Sequence, residues 1–380
     1  MSASLMISNR QSWFGHGTLS RLVPLLASDP LPTLLFSCRS FLDGPHYARL
    51  AGDLAPKLLA TEVIRHEASP QHIDHLVTRY RGQVRRVVAI GGGSVLDAAK
   101  AFAALSQHPL PALRYLEKVG DTLVSGATLP LIAIPTTAGT GSEVTQNAVL
   151  TDTRTQRVKA SLRHPNFVPQ VAILDPALLN GAPDEVLAGC GIDAFTHLFE
   201  SWLSKNASAW SRQLSLCGIR LFLQAWPHLN RQDTRGDQAR EAMMQASWLG
   251  GLTLSMAGLG VIHGLAGEIG ALRSYPHGQV CGRLLLPFLS LLATSQDAHQ
   301  RARMTELAQA VLPDGDRQTP ERRLTDLITG QSVFPFWLEP LTITAAELQT
   351  IVEKSNSKHS LLEYSSSQRR SLTEQAFSVN

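Results

Sequence analysis

Cysteine is scarce in this chain, and the four present, Cys38, Cys190, Cys217 and Cys281, stand far apart with no C-x-x-C spacing. That argues against both a disulfide framework and a structural zinc knuckle, and leaves reduced, buried thiols as the expectation. An excess of one charge is missing too. The formal net charge is +3, and the arginines of 211–240 and 301–323 are scattered rather than striped, so no nucleic-acid footprint is expected. No apolar run approaches the ~20 residues needed to span a bilayer, and "MSASLMISNRQSWFGHG" lacks a basic stretch followed by an apolar one. The expectation is a cytoplasmic protein without nucleic-acid or membrane partners.

Hydrophobic residues at 44% and charged residues at 17% are globular values, and 380 residues exceed what one hydrophobic core usually serves. Two domains follow. Through residue 180, short apolar runs such as "TLLFSC" (33–38), "RRVVAI" (85–90), "LPLIAIP" (129–135) and "VAILD" (171–175) alternate with longer segments of helical period. Strands alternating with helices imply an α/β domain over 1–180 with a mostly parallel sheet covered on both faces. From 181 to 380 the strand signals fade. Leu/Ala-rich segments at 186–204, 206–228, 237–257, 259–273 and 281–296 read as an all-α domain. The Ser- and charge-rich tail "KSNSKHSLLEYSSSQRRSL" is expected to be loosely ordered.

In "VVAIGGGSVLDAAK", Gly91, Gly92, Gly93 and Ser94 join an apolar strand to a helical run. Backbone without side chains can approach a pyrophosphate, and the free N–H groups at a helix start attract its charge. The motif is not G-x-G-x-x-G, and a tight strand-to-helix turn would look similar. Asp97 and Lys100 follow on the first turns, placed to reach a phosphate or ribose. A second strand-exit loop, "IPTTAGTGSEVTQNAV", supplies Thr136, Thr137 and further small hydroxyl residues where open α/β sheets usually bind ligands.

"GIDAFTHLFESW" sets Asp193 and His197 four positions apart in a mostly apolar run, on one face of a helix. An isolated pair of this kind more often hydrogen-bonds internally than binds metal. Downstream, His263 and His277 would complete one carboxylate and three imidazoles. That set suits Fe²⁺ or Zn²⁺ with a coordination position left for a substrate oxygen. Glu200, one turn past His197, could support a ligand from behind.

"GGGSVLDAAK", "PTTAGTGSEVT", "GIDAFTHLFESW" and "HGLAGEIGA…PHG", in this order and spacing, resemble the iron-containing (group III) alcohol dehydrogenase family from "FGHG" to about residue 345. The resemblance implies a dehydroquinate synthase-like architecture, with NAD(P) and a divalent metal, Fe²⁺ or alternatively Zn²⁺, in the cleft between the two domains. It implies metal ligands at Asp193, His197, His263 and His277, phosphate contacts at residues 91–94, further cofactor contacts at Asp97, Thr136, Thr137 and Lys159, and a homo-oligomer, most simply a dimer. The implied activity is hydride transfer between the nicotinamide and a small alcohol or aldehyde, with metal as the Lewis acid.

Two departures matter. Many members carry a further histidine at the position of Gly267, so the proton source is open, with Glu268 or ribose-relayed water as substitutes. Arg39 and Ser40 stand after the first of these strands, where NAD-using relatives often place an aspartate. An arginine pairs with a 2′-phosphate that a carboxylate would repel, which favours NADP(H). Arg273, between the two downstream histidines, would suit an acidic aldehyde such as a phosphonate or carboxylate if it lined the pocket. The alternatives are a metal-free reductase resembling the maleylacetate reductases, a sugar-phosphate cyclase relative, and a non-catalytic protein retaining the fold.

Overall fold

The structure, a computed structural model, describes residues 5–311, 318–355 and 364–380. The chain divides into two compact units, Ile7–Asn180 and Gly181–Asn380, with residues 5 and 6 grouping with the second.

In the first unit, six strands form one parallel sheet: β1 (Gln11–Phe14), β2 (Thr33–Ser37), β3 (Leu58–Val63), β4 (Arg86–Gly91), β5 (Leu131–Pro135) and β8 (Val171–Leu174). An antiparallel hairpin, β6 (Asn147–Asp152) with β7 (Val158–Arg163), stands outside it. The helices are α1 (Leu22–Ser28), α2 (Arg39–Leu42), α3 (Pro45–Leu54), α4 (Pro70–Tyr80) and α5 (Gly93–Leu105). β2, β4 and β5 are buried throughout, as their unbroken Val/Ile/Leu runs require of central parallel strands. Alternate residues feed two cores. Leu34, Phe36, Val87, Ala89, Leu131 and Ala133 lie in one, while Leu35, Val88, Ile90, Ile132, Ile134 and Ile173 lie in the other.

Strand order in the sheet is β1-β8-β5-β4-β2-β3. The chain leaves β2 for the edge strand β3, then crosses back over β2 to β4, so the order reverses between β2 and β4. In open α/β sheets that switch point, at the carboxyl ends of the strands, is where a ligand is held. Here those ends are Ser37 and Gly91, immediately before Arg39 and the glycine run.

The second unit contains α6 (Asp184–Leu203), α7 (Ala209–Ala225), α8 (Thr234–Ala257), α9 (Val261–Leu272), α10 (His277–Ala293), α11 (Ala298–Val311), α12 (Pro320–Gln331), α13 (Ala345–Lys354) and α14 (Ser366–Ala376). Two details differ from the sequence reading. A short parallel pair, β9 (Thr342–Ile343) with β10 (Ser378–Val379), ties the chain end to the start of α13, so the unit is helical with one ladder rather than purely helical. The serine-rich tail is ordered from Ser366 onward, while its residues 356–363 lie outside the described residues. A capping box of Ser365 and Gln368 starts α14, and Arg369 is buried with its guanidinium on the Tyr364 carbonyl. Among the described residues, no single helix is long and apolar enough to cross a membrane.

α6 and α10 meet backbone to backbone. A Cβ built on Gly278 would lie 1.8 Å from the Gly189 carbonyl oxygen, a contact that only glycine permits. The close approach brings the first turn of α10 against the second turn of α6.

Candidate active site

Asp193 and His197 lie one turn apart on α6, both buried, with the His197 Nε2 3.9 Å from the Asp193 Oδ1. His263 on α9 is buried and sets its Nε2 3.3 Å from the same oxygen. His277 opens α10 and sets its Nε2 3.8 Å away; its side chain is the most accessible of the four, at 28%. The three histidines picked from sequence therefore surround one oxygen of the fourth residue, Asp193. A fifth residue, not singled out from the sequence, joins them. Cys281 is fully buried one turn past His277, its Sγ 3.7 Å from both the His263 and His277 Nε2 atoms. The donor atoms of Asp193, His263, His277 and Cys281 all lie within 4.8 Å of one another. His197 instead stacks on His263, with ring centroids 4.4 Å apart and planes inclined by 18°. The signal for Cys281 was available, since H-x-x-x-C repeats on α10 the one-turn logic of D-x-x-x-H on α6.

Glu200 stands behind the cluster. Its Oε2 accepts from the His263 Nδ1 at 2.7 Å and from the His263 backbone N–H at 3.4 Å, while its Oε1 accepts from the Ile262 N–H at 2.7 Å. One carboxylate thus caps α9 and fixes the tautomer of His263. With the Nδ1 proton given to Glu200, the Nε2 carries a lone pair aimed at the Asp193 oxygen. Two lone pairs 3.3 Å apart require a cation or a proton between them. Without a metal, the proton serves. Burial pulls the His263 pKa down, but Cys281, Asp193 and Glu200 outweigh it and hold His263 well above its ordinary value. Burial would raise the Asp193 carboxyl, yet the histidines, His197 first, keep it well below the usual range. Burial pushes the Cys281 thiol up to about 11. A buried carboxylate, inclined imidazoles and a thiol around one point fit a divalent cation.

In the α/β unit, residues 91–94 run from the end of β4 into α5, and the Thr136 N–H donates to the Gly91 carbonyl at 3.0 Å. The glycine run is packed against the second loop. A Cβ on Gly92 would lie 3.2 Å from the Thr137 Oγ1, and one on Gly93 would lie 2.6 Å from the Thr140 Cγ2. The two loops therefore form one surface at the carboxyl ends of β4 and β5, beside the start of α5, where the Val95 and Leu96 N–H groups already donate to the Gly92 carbonyl and the two N–H groups before them have no acceptor within the helix. Arg39 opens α2 after β2, exposed and paired with Asp43 at 3.1 Å, and Ser40 follows it.

Asp97 and Lys100 are less open than their sequence position suggested. Asp97 accepts from the Ser142 hydroxyl at 2.5 Å and from the Val149 N–H at 3.1 Å. Lys100 is buried and donates to the Thr145 carbonyl and hydroxyl, both at 3.1 Å, and to the Asn147 carbonyl at 2.6 Å. Burial draws its ammonium down to about 8 against the pull of Asp97 and Glu143. Both residues brace the segment 142–149 against α5. Lys159, on β7, pairs with Glu67. Arg273 is held by Glu347 through two bonds of 2.8 and 2.7 Å, so its charge is already matched and the motive for an acidic substrate is removed.

The family description "Iron-containing alcohol dehydrogenase" matches residues 9–176, and "Fe-containing alcohol dehydrogenase family, C-terminal" matches residues 187–355. The chain belongs to the iron-containing alcohol dehydrogenase family. Within it, the chain is 43% identical over 201 residues to the probable alcohol dehydrogenase EutG of Escherichia coli (strain K12), covering 53% of this chain and 49% of the relative. It is 38% identical over 203 residues to lactaldehyde reductase of the same organism, covering 53% and 51%. The chain thus spans about half the length of the curated relatives it matches. Solved structures of the family share its fold over the whole length. A 1,3-propanediol oxidoreductase superposes with a TM-score of 0.84 at 22% identity, covering 99% of this chain and 100% of that one. Sulfoacetaldehyde reductase from Bifidobacterium kashiwanohense, solved in complex with NAD⁺, has a TM-score of 0.84 at 23% identity, covering 100% of both.

Proposed function

We propose that this protein is a metal-dependent, NAD(P)-dependent alcohol dehydrogenase or aldehyde reductase acting on a small neutral alcohol or aldehyde. The observation that carries the reading is the convergence of Asp193, His263 and His277 on one point, with Glu200 fixing the tautomer that leaves the His263 Nε2 lone pair inside. His197 lies against the same carboxylate. When bound there, a divalent cation, Fe²⁺ or Zn²⁺, supplies Lewis-acid polarisation of a carbonyl, and the nicotinamide supplies the hydride.

The chain's own residues do the rest. Asp193, His197, His263 and His277 would hold the cation, and Glu200 keeps His263 oriented. Residues 91–94, with Thr136 and Thr137, offer backbone and hydroxyl groups to the dinucleotide at the switch point. Asp97 steadies this surface from beneath through Ser142. Lys159 belongs to the cofactor side of the same reading. Arg39 and Ser40, after β2, favour the 2′-phosphate of NADP(H). A neutral substrate is supported by the pairing of Arg273 with Glu347, and by relatives named lactaldehyde reductase and 1,3-propanediol dehydrogenase.

The test is oxidation of NADPH and NADH with a panel of small aldehydes, before and after chelation. Turnover that chelation abolishes and Zn²⁺ or Fe²⁺ restores is the expected result. Metal-independent turnover would favour the metal-free reductase reading, and none with any aldehyde would sink the proposal. His263→Ala should release the metal and leave dinucleotide binding intact.

A further inference from the structure

We propose that Arg273 and Tyr275 are positioning residues for His277: they pin the connection between α9 and α10 to the corner where β9 enters α13, and so set how tightly the cation is held. The inference rests on the metal-dependent reading above and names what places His277, the most exposed of the four residues that would hold the cation.

His263 and His277 sit on different helices joined by a short connection, residues 273–276. The course of that connection therefore sets the distance between their rings, 5.6 Å from centroid to centroid. It is held twice. Arg273, extended at the end of α9, gives its Nε and Nη2 to the two carboxylate oxygens of Glu347 at 2.8 and 2.7 Å, a fork that fixes orientation as well as place. Tyr275 meets β9. Its hydroxyl donates to the Thr342 carbonyl at 2.7 Å and accepts from the Thr342 N–H at 3.3 Å. The ladder with β10 runs through the residues on either side, since the Leu341 and Ile343 carbonyls accept from the Ser378 and Asn380 N–H groups. Thr342 thus turns its backbone groups to the other edge of β9, where the Tyr275 hydroxyl takes the place of a third strand.

Both holds end on one corner, which is itself fixed. Glu347 also accepts from the Thr344 N–H at 2.7 Å in the capping box that starts α13, and the Ala345 N–H donates to the Asn380 carbonyl at 3.1 Å. Little freedom is left in the connection. Pro276 has its φ set by its ring, at −57°, and its carbonyl accepts from the Val280 N–H at 3.1 Å as α10 begins. His277 follows directly. A metal site is built to bond lengths good to about 0.2 Å, so a connection that slackens costs affinity without removing a donor.

Zn²⁺ competition with a chromophoric chelator reads the effect. Tyr275→Phe and Arg273→Gln should each weaken Zn²⁺ binding roughly 10–100-fold, the range for groups that support a ligand from behind. Arg273→Lys keeps the charge and loses the fork, so its affinity should fall between those of Arg273→Gln and the unaltered protein. NADPH affinity should stay within about twofold in all three, because the glycine-rich surface belongs to the other unit. Thermal unfolding in chelator separates positioning from plain support of the fold. Weakened Zn²⁺ binding beside near-normal apo stability is the expected result, whereas lowered apo stability with unchanged Zn²⁺ affinity would overturn the inference. A raised KM for the aldehyde with unchanged Zn²⁺ affinity would make Arg273 a substrate contact and overturn it as well. Either outcome leaves the dehydrogenase reading standing. Failure of the unaltered protein to bind Zn²⁺ or Fe²⁺ would overturn both.

Discussion

Glu200→Gln separates the two tasks of one carboxylate. Glu200 now accepts three N–H groups, from Ile262 and from the backbone and ring of His263, at 2.7, 3.4 and 2.7 Å. A glutamine of the same shape offers one accepting oxygen and one donating amide. With the oxygen kept on Ile262, the amide faces the His263 Nδ1, and the bond survives only if that nitrogen becomes the acceptor. The ring proton then moves to Nε2, the atom 3.3 Å from Asp193 that must be bare to bind a cation. The fold loses little, about 0.3–1 kcal/mol for the charge at the start of α9. Cation binding loses more, roughly 10–100-fold, or about 1.4–2.7 kcal/mol. Thermal unfolding in chelator and Zn²⁺ competition on the same preparation measure both quantities. A variant that binds Zn²⁺ as tightly as the unaltered protein would show that Glu200 does not set the tautomer. A variant that loses equal stability with and without metal would reduce its role to capping.

Replacing Arg39 with Asp should raise KM for NADPH at least about tenfold and leave or lower that for NADH, because a carboxylate repels a 2′-phosphate. Parallel cofactor titrations check it, and unchanged preference would remove the reason for favouring NADP(H). Glu143 tests pH dependence: burial raises its pKa from 4.5 to about 7, so the native state holds this proton more tightly than the unfolded chain does. Its stabilising contribution is complete below pH 4.5 and fades as pH rises through 7, so Glu143→Gln should gain on the unaltered protein by on the order of 3 kcal/mol across that window. Denaturant midpoints at pH 4.5, 6 and 8 would show it, and parallel curves would refute it. Gly93→Ala puts a methyl 2.6 Å from Thr140, and should cost about 1–3 kcal/mol and most dinucleotide affinity, with Thr140→Ala restoring part of each. Fluorescence titration of NADPH with the single and double variants decides between crowding and some other cause. Gly278→Ala meets backbone rather than a movable side chain, and should release Zn²⁺ while its effect on NADPH binding stays within about twofold. Retained metal would show that the separation of α6 and α10 is not what assembles the cluster.

How far the sequence could be read depended on whether a feature is local. The buried strands β2, β4, β5 and β8 were legible because continuous Val/Ile/Leu runs between turn signals have few other uses. β1, "QSWF", and β3, "LLATEV", were not, because edge strands are partly exposed and mix polar with apolar residues. The hairpin of β6 and β7 was hidden by a polar turn and by residues that serve equally in loops. In the cluster, one-turn spacing gave Asp193 and His197 a common helix face, but a common face does not say what meets it once a second helix arrives. That outcome is decided by the glycine contact between α6 and α10, which draws Cys281 toward Asp193. The same contact explains why a cysteine that looked structural stands among metal donors. A thiol left by itself in an apolar interior is inert, whereas one held 3.7 Å from two imidazole nitrogens beside a carboxylate has neighbours that only a proton or a cation can reconcile.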